Sequence, residues 1–146
     1  ALGLVAAVAV SFAAFADGEL APLSQDAYLA LPKSGEKAPF VLDVRAPEEF
    51  VTGYVPGAVN IPYDQVAARL AEVPKDKDVV LYCRSGRRAG MAAEVLAANG
   101  YTRLKHLEGD MPAWIEKGRP VETPKDAAAC VAALKSGAAR QACAAD

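Results

Sequence analysis

A chain of 146 residues, 53% of them hydrophobic, can bury one core and is too short for two ordinary domains. A formal net charge of −2 gives no general attraction to nucleic acid, so nucleic-acid binding is excluded as the main role. Metal chemistry has little to stand on, because no second cysteine or histidine has ligand spacing to Cys83.

Residues 1–16 carry no charge and one hydroxyl side chain, Ser11, before the chain turns polar at Asp17. Ala14, Phe15 and Ala16 have the small, any, small pattern that precedes a signal-peptidase cut. The segment reads as a signal peptide or as part of an N-terminal membrane anchor, which needs about 20 apolar residues to span a bilayer. Both readings export the domain to the periplasm, either soluble or membrane-associated through residues 1–16.

Leu23 to Leu31 has the apolar spacing of a short helix, with Ser24 placed to cap it. Phe40 to Val44 is a β run that puts Asp43 near its end, and the proline of Ala46 Pro47 Glu48 Glu49 Phe50 suits the start of a helical turn. Gly53 to Gly57 is a turn feeding a short edge strand in Ala58 to Pro62. Val66, Leu70 and Val73 predict one face of a helix over Asp64 to Val73, stopped by Pro74.

A strand at Val79 to Tyr82 is followed by the Cys83 loop and by a helix from about Arg88 to Asn99, closed by Gly100. Leu104 to Leu107 is a last strand, and Asp110 is a natural N-cap for the turn with Met111 and Trp114. Alternating strands and helices predict an α/β layered domain with a largely parallel sheet, over about residues 20–122. Residues 124–146 form an alanine-rich helical extension, packed on the domain or on a protein partner. Within it Cys130 and Cys143 flank Ser136 and Gly137 symmetrically. They either pair as a disulfide in an oxidising compartment, leaving Cys83 as the free thiol, or pack as small apolar side chains.

Cys83 holds the chemistry. It sits where an apolar strand ends, and sites in such sheets lie beyond the carboxyl ends of strands. Arg84, Arg87 and Arg88 crowd positive charge around it, while Ser85 and Gly86 permit a tight curve of backbone amides. A helix N-terminus and guanidinium groups both favour thiolate over thiol. The group is thus a candidate nucleophile, Cys83, in a candidate anion cradle of Arg84, Ser85, Gly86, Arg87 and Arg88.

Four ordered segments then match a known pattern. Leu42 to Arg45 with Glu48 to Phe50, Gly53 to Pro62, Tyr82 to Ala89, and Leu107 to Gly109 with Trp114 together resemble a single-domain rhodanese, over roughly Leu23 to Val121. The resemblance implies the rhodanese three-layer fold, with a central, mostly parallel sheet between helices. It also implies a sulfurtransferase without a cofactor, working on a small sulfur-containing anion and a thiol or cyanide acceptor. By resemblance, Cys83 carries the sulfur and the amides from Arg84 to Arg88 cradle it. Two positions depart from the pattern: Tyr54 stands where the family often has histidine, and Asp110 where it has a second glycine. His106, the single histidine, lies in a strand apart from the motif and reads as structural.

Dual-specificity phosphatases share the fold but place an arginine six positions after the cysteine, where this chain has Ala89. The shorter loop suits sulfur better than a tetrahedral phosphate. An alternative from another class is a non-catalytic sulfur carrier or interaction module associated with a membrane complex.

Overall fold

The computed structural model describes residues 20–137 and 143–145. The leader expected over residues 1–16 lies outside the described residues. Among the described residues, no helix is long and apolar enough to cross a membrane.

Five strands form one sheet: β1 (Ala21–Leu23), β2 (Phe40–Asp43), β3 (Val59–Asn60), β4 (Val79–Tyr82) and β5 (Leu104–Leu107). Their order is β1-β5-β4-β2-β3 and every pairing is parallel. The central strand β4 is buried along its whole length, which is why Val79 to Tyr82 reads as an unbroken apolar run.

Successive residues of a strand face opposite ways, and the core divides accordingly. Leu42, Val79, Leu81 and Leu104 face one side with Ala89, Ala92, Ala93 and Leu96 of α3 (Arg87–Ala98). Val41, Val80, Tyr82 and Leu107 face the other, against Tyr28 of α1 (Gln25–Leu29) and Met111 and Trp114 of α4 (Asp110–Glu116). Tyr28 and Trp114 meet edge to face at 5.8 Å, and the Trp114 indole N–H donates to the Pro120 carbonyl at 2.7 Å.

A smaller third cluster fastens the C-terminal extension. Phe50, at the end of α2 (Pro47–Phe50), stacks on Tyr54 with ring centroids 4.0 Å apart, and both pack on Cys130 and Leu134 of α5 (Ala127–Ser136). Cys130 and Cys143 are joined as a disulfide, with Cα atoms 4.7 Å apart. Lys135 of α5 pairs with Glu48 of α2. The extension is therefore packed on its own domain, and Tyr54 is a buried wall of that contact.

Three local expectations need correction. Asp64 to Val73 is not a helix but two short 3₁₀ turns, Tyr63–Gln65 and Leu70–Glu72. Its apolar side chains do face inward: Val66 and Val73 are buried, and Leu70 packs on the same core. The Arg69 guanidinium is turned on Gln65 and Glu72, closing local turns instead of a continuous helix. The first helix is only Gln25–Leu29, because Leu23 belongs to β1; Ser24 does cap it, accepting from the Ala27 N–H at 3.1 Å. Asp110 does not cap α4, whose N-cap is Gly109.

Candidate active site

β4 delivers Cys83 to the carboxyl end of the sheet, on the α3 side. The residue is fully buried and its thiol is free. Four residues later α3 begins, and Gly86 makes the turn between them with φ +85°, a conformation that a side chain resists. That turn directs the Gly86 N–H at the Cys83 sulfur, 3.1 Å away. The backbone N–H groups at the start of a helix have no partner within it, so this end of α3 presents further donors around the same space.

The three loop arginines differ in state. Arg88 is tied bidentately to Glu49 of α2, with N···O distances of 2.6 and 2.9 Å. This hydrogen-bonded pair draws the Glu49 carboxyl down to about 2 and holds the Arg88 guanidinium above its usual value. Arg84 and Arg87 are exposed, and neither has an ion-pair partner among the described residues. With Ser85, Arg88, Tyr63 and Met91 they line a depression of about 360 Å³. All six residues from Cys83 to Arg88 are thus brought together, but only Arg84 and Arg87 have uncommitted charge.

Behind the loop lies a second pair that the sequence reading missed. The Asp110 carboxylate accepts from the Cys83 N–H at 2.8 Å and lies 3.0 Å from Nε2 of His106. The Cys83 carbonyl in turn accepts from the Met111 N–H at 3.0 Å. Asp110 adopts φ +53°, unusual outside glycine, with a side chain only 6% exposed. His106 therefore is not apart from the motif: β5 lies beside β4, and the strand end brings the imidazole under Gly86. The signal available in the sequence was Asp110 itself, a carboxylate where the resembled family has glycine.

A third group is structural. Asp43 accepts from the backbone and guanidinium of Arg45, whose Nη2 also donates to the Gly53 carbonyl at 2.9 Å. Both side chains are buried, and Asn60 Nδ2 donates to the Asp43 and Arg45 carbonyls. This network closes the ends of β2 and β3. Among the described residues, no group of three or more His, Cys, Asp or Glu could hold a metal ion.

The arrangement can stabilise an anion at sulfur, admit a small anionic reactant from the Arg84 and Arg87 side, and exclude bulk water from Cys83. The model of the rhodanese-like domain matches residues 24–117. The chain is 40% identical over 85 residues to a sulfurtransferase of Allochromatium vinosum, covering 58% of this chain and 79% of that protein. It is 41% identical over 70 residues to the thiosulfate sulfurtransferase PspE of Escherichia coli, covering 47% and 67%. A Bacillus subtilis protein, YqhL, matches at 40% identity over 82 residues, 56% of this chain and 65% of that protein. Among solved structures, a rhodanese-like domain protein of Staphylococcus aureus superposes with a TM-score of 0.56 at 31% identity, over 65% of this chain and 91% of that one. With four ordered motifs, a parallel sheet and a cysteine loop in agreement, the chain belongs to the rhodanese-like domain family.

Proposed function

We propose that the protein is a sulfurtransferase that moves sulfane sulfur from thiosulfate or a persulfide donor to a thiophilic acceptor, cyanide or a thiol, through a persulfide on Cys83. The observation that carries this reading is the free Cys83 thiol accepting the Gly86 N–H, in a loop whose Arg84 and Arg87 have no ion-pair partner among the described residues. Relatives named sulfurtransferase support it at the level of the family.

In the first half-reaction the Cys83 thiolate attacks the outer sulfur of thiosulfate. A new S–S bond forms, the donor's S–S bond breaks, and sulfite leaves with the bonding electron pair. Arg84 and Arg87 draw the dianion in and offset its charge, while the Gly86 N–H and the α3 N-terminus stabilise the negative sulfur in the manner of an oxyanion hole. In the second half-reaction the acceptor attacks the terminal sulfur, and Cys83 leaves as thiolate. This is double displacement through a covalent intermediate. The buried Cys83 is screened from large reagents, and a persulfide places the reactive sulfur about 2 Å beyond the Cys83 sulfur, within reach of a small acceptor.

The Cys130–Cys143 disulfide supports an oxidising compartment, in keeping with export to the periplasm. The extension is proposed to brace α2, and hence Glu49 and Arg88, while the exposed rim takes small anions and thiols.

Steady-state assay of thiosulfate with cyanide tests the proposal. Multiple turnovers are expected, and Cys83→Ser should lose them. Stoichiometric sulfur loading without turnover would instead support a carrier, and full activity in Cys83→Ser would overturn the reading.

A further inference from the structure

The Asp110 and His106 pair has no part in the double displacement, yet it is built against the nucleophile's backbone. Asp110 Oδ1 accepts the Cys83 N–H at 2.8 Å, and both carboxylate oxygens lie within 3.1 Å of His106 Nε2. The turn whose N–H points at the sulfur rests on the pair: a Cβ placed on Gly86 would lie 3.2 Å from His106 Cε1 and 3.4 Å from Asp110 Oδ2. The left-handed backbone of Asp110 is a conformation that the carboxylate's two partners hold in place. A glycine at that position would adopt it without cost and supply no charge.

We propose that His106 and Asp110 are positioning residues for Cys83, and that protonation of His106 sets how readily the Cys83 sulfur reacts with anions. Asp110 brings a negative charge to the amide of the nucleophile. When His106 is an imidazolium the pair is neutral. When it loses its proton, an uncompensated carboxylate remains at the Cys83 amide and opposes approach of an anionic reactant.

The surroundings leave His106 to Asp110. Glu108 adds a weaker negative influence from the strand end, and the side chains at matching register on β1 and β4, Pro22 and Leu81, are apolar. From the β4–α3 loop it meets Gly86. On α1, Gln25 Nε2 donates to the Glu108 and Asp110 carbonyls, a neutral contact that fixes the turn. The Asp110 hydrogen bond raises the His106 pKa against the opposing effect of burial.

This inference rests on Cys83 being the reactive thiol, and its test does not need sulfur transfer. Cys130 and Cys143 are paired, so alkylation of the unreduced protein reports Cys83 alone. The ratio of its rate constants with iodoacetate and with iodoacetamide cancels the thiolate fraction and reads the local potential. In the wild type the ratio should fall about threefold as pH rises through the His106 titration followed by NMR, the size expected for one added charge several ångströms away in a mostly aqueous dielectric. His106→Gln should give a low, flat ratio. Asp110→Asn, which keeps an acceptor for the Cys83 N–H and tolerates the backbone, should move the transition to lower pH. A ratio that ignores the His106 titration, an unchanged profile in His106→Gln, or a Cys83 that neither reagent reaches would overturn the proposal. A protein that shows the coupled ratio but never takes sulfur would retain the pair and lose the sulfurtransferase reading instead.

Discussion

Glu49 is the residue that decides which of the loop charges are available. Its carboxyl, held down to about 2 by Arg88, neutralises one of three guanidinium groups at the mouth. Glu49→Gln leaves Arg88 uncommitted and adds one positive charge there. The expected result is a severalfold lower KM for thiosulfate at low ionic strength, converging on the wild type in high salt as screening removes the difference. A KM that rises would show that Glu49 serves chiefly to orient Arg88. The acid side follows by linkage: because folding depresses the Glu49 pKa, its stabilisation is present above about 4.5 and is lost as pH falls toward about 2. His106 has the opposite sign. Its raised folded pKa gives stability that is complete below about 6.5 and is lost as pH rises through the folded value. The difference in denaturation midpoint between wild type and Asp110→Asn should therefore be larger at pH 6 than at pH 9, and an equal difference at both would contradict the ion pair.

At the scale of elements, the turn into α4 and the clasp of α5 are the places where small changes act on whole segments. Gly109 has φ +80°, and a Cβ there would stand 2.5 Å from the Ala113 Cβ. Gly109→Ala is expected to destabilise the fold by about 2 kcal/mol or more, from backbone strain together with the overlap, read as a lowered denaturant midpoint. The Cys130–Cys143 disulfide closes a short loop, with a sequence separation of 13, and a loop of this size is worth about 3 kcal/mol by chain entropy. Replacing both cysteines by alanine should lower the melting temperature while leaving the Cys83 reaction in place at low temperature. Loss of the reaction under those conditions would mean that α5 does more than brace α2. The α3 and β4 elements were legible in the sequence because each meets one simple pattern, a small-residue helix closed by Gly100 and a fully buried apolar run. The 3₁₀ turns were not, because Val66, Leu70 and Val73 satisfy helical spacing equally well when the backbone between them is broken by turns. Nor was β1, whose three residues acquire strand character only from pairing with β5.

For the whole molecule, the sheet order determines the site. β5 lies between β1 and β4, so a histidine 23 positions from Cys83 and a carboxylate 27 positions away reach the same loop. Sequence shows which residues flank Cys83 along the chain; the lateral partners follow from strand register, and this is why the loop arginines were legible while the roles of His106, Asp110 and Glu49 were not. The net charge of −2 also conceals a local cationic mouth, so donor encounter should slow as salt increases although the protein as a whole is acidic. Arg84→Ala and Arg87→Ala should each lower kcat/KM for thiosulfate and flatten that salt dependence; an undiminished slope in the double variant would place the anion elsewhere. The central claim is that Cys83 accepts one sulfur atom. Intact mass of the unreduced protein after incubation with thiosulfate measures it directly: the wild type should gain a single sulfur and Cys83→Ala none, whereas a wild type that stays unmodified with thiosulfate and with persulfide donors would contradict the account.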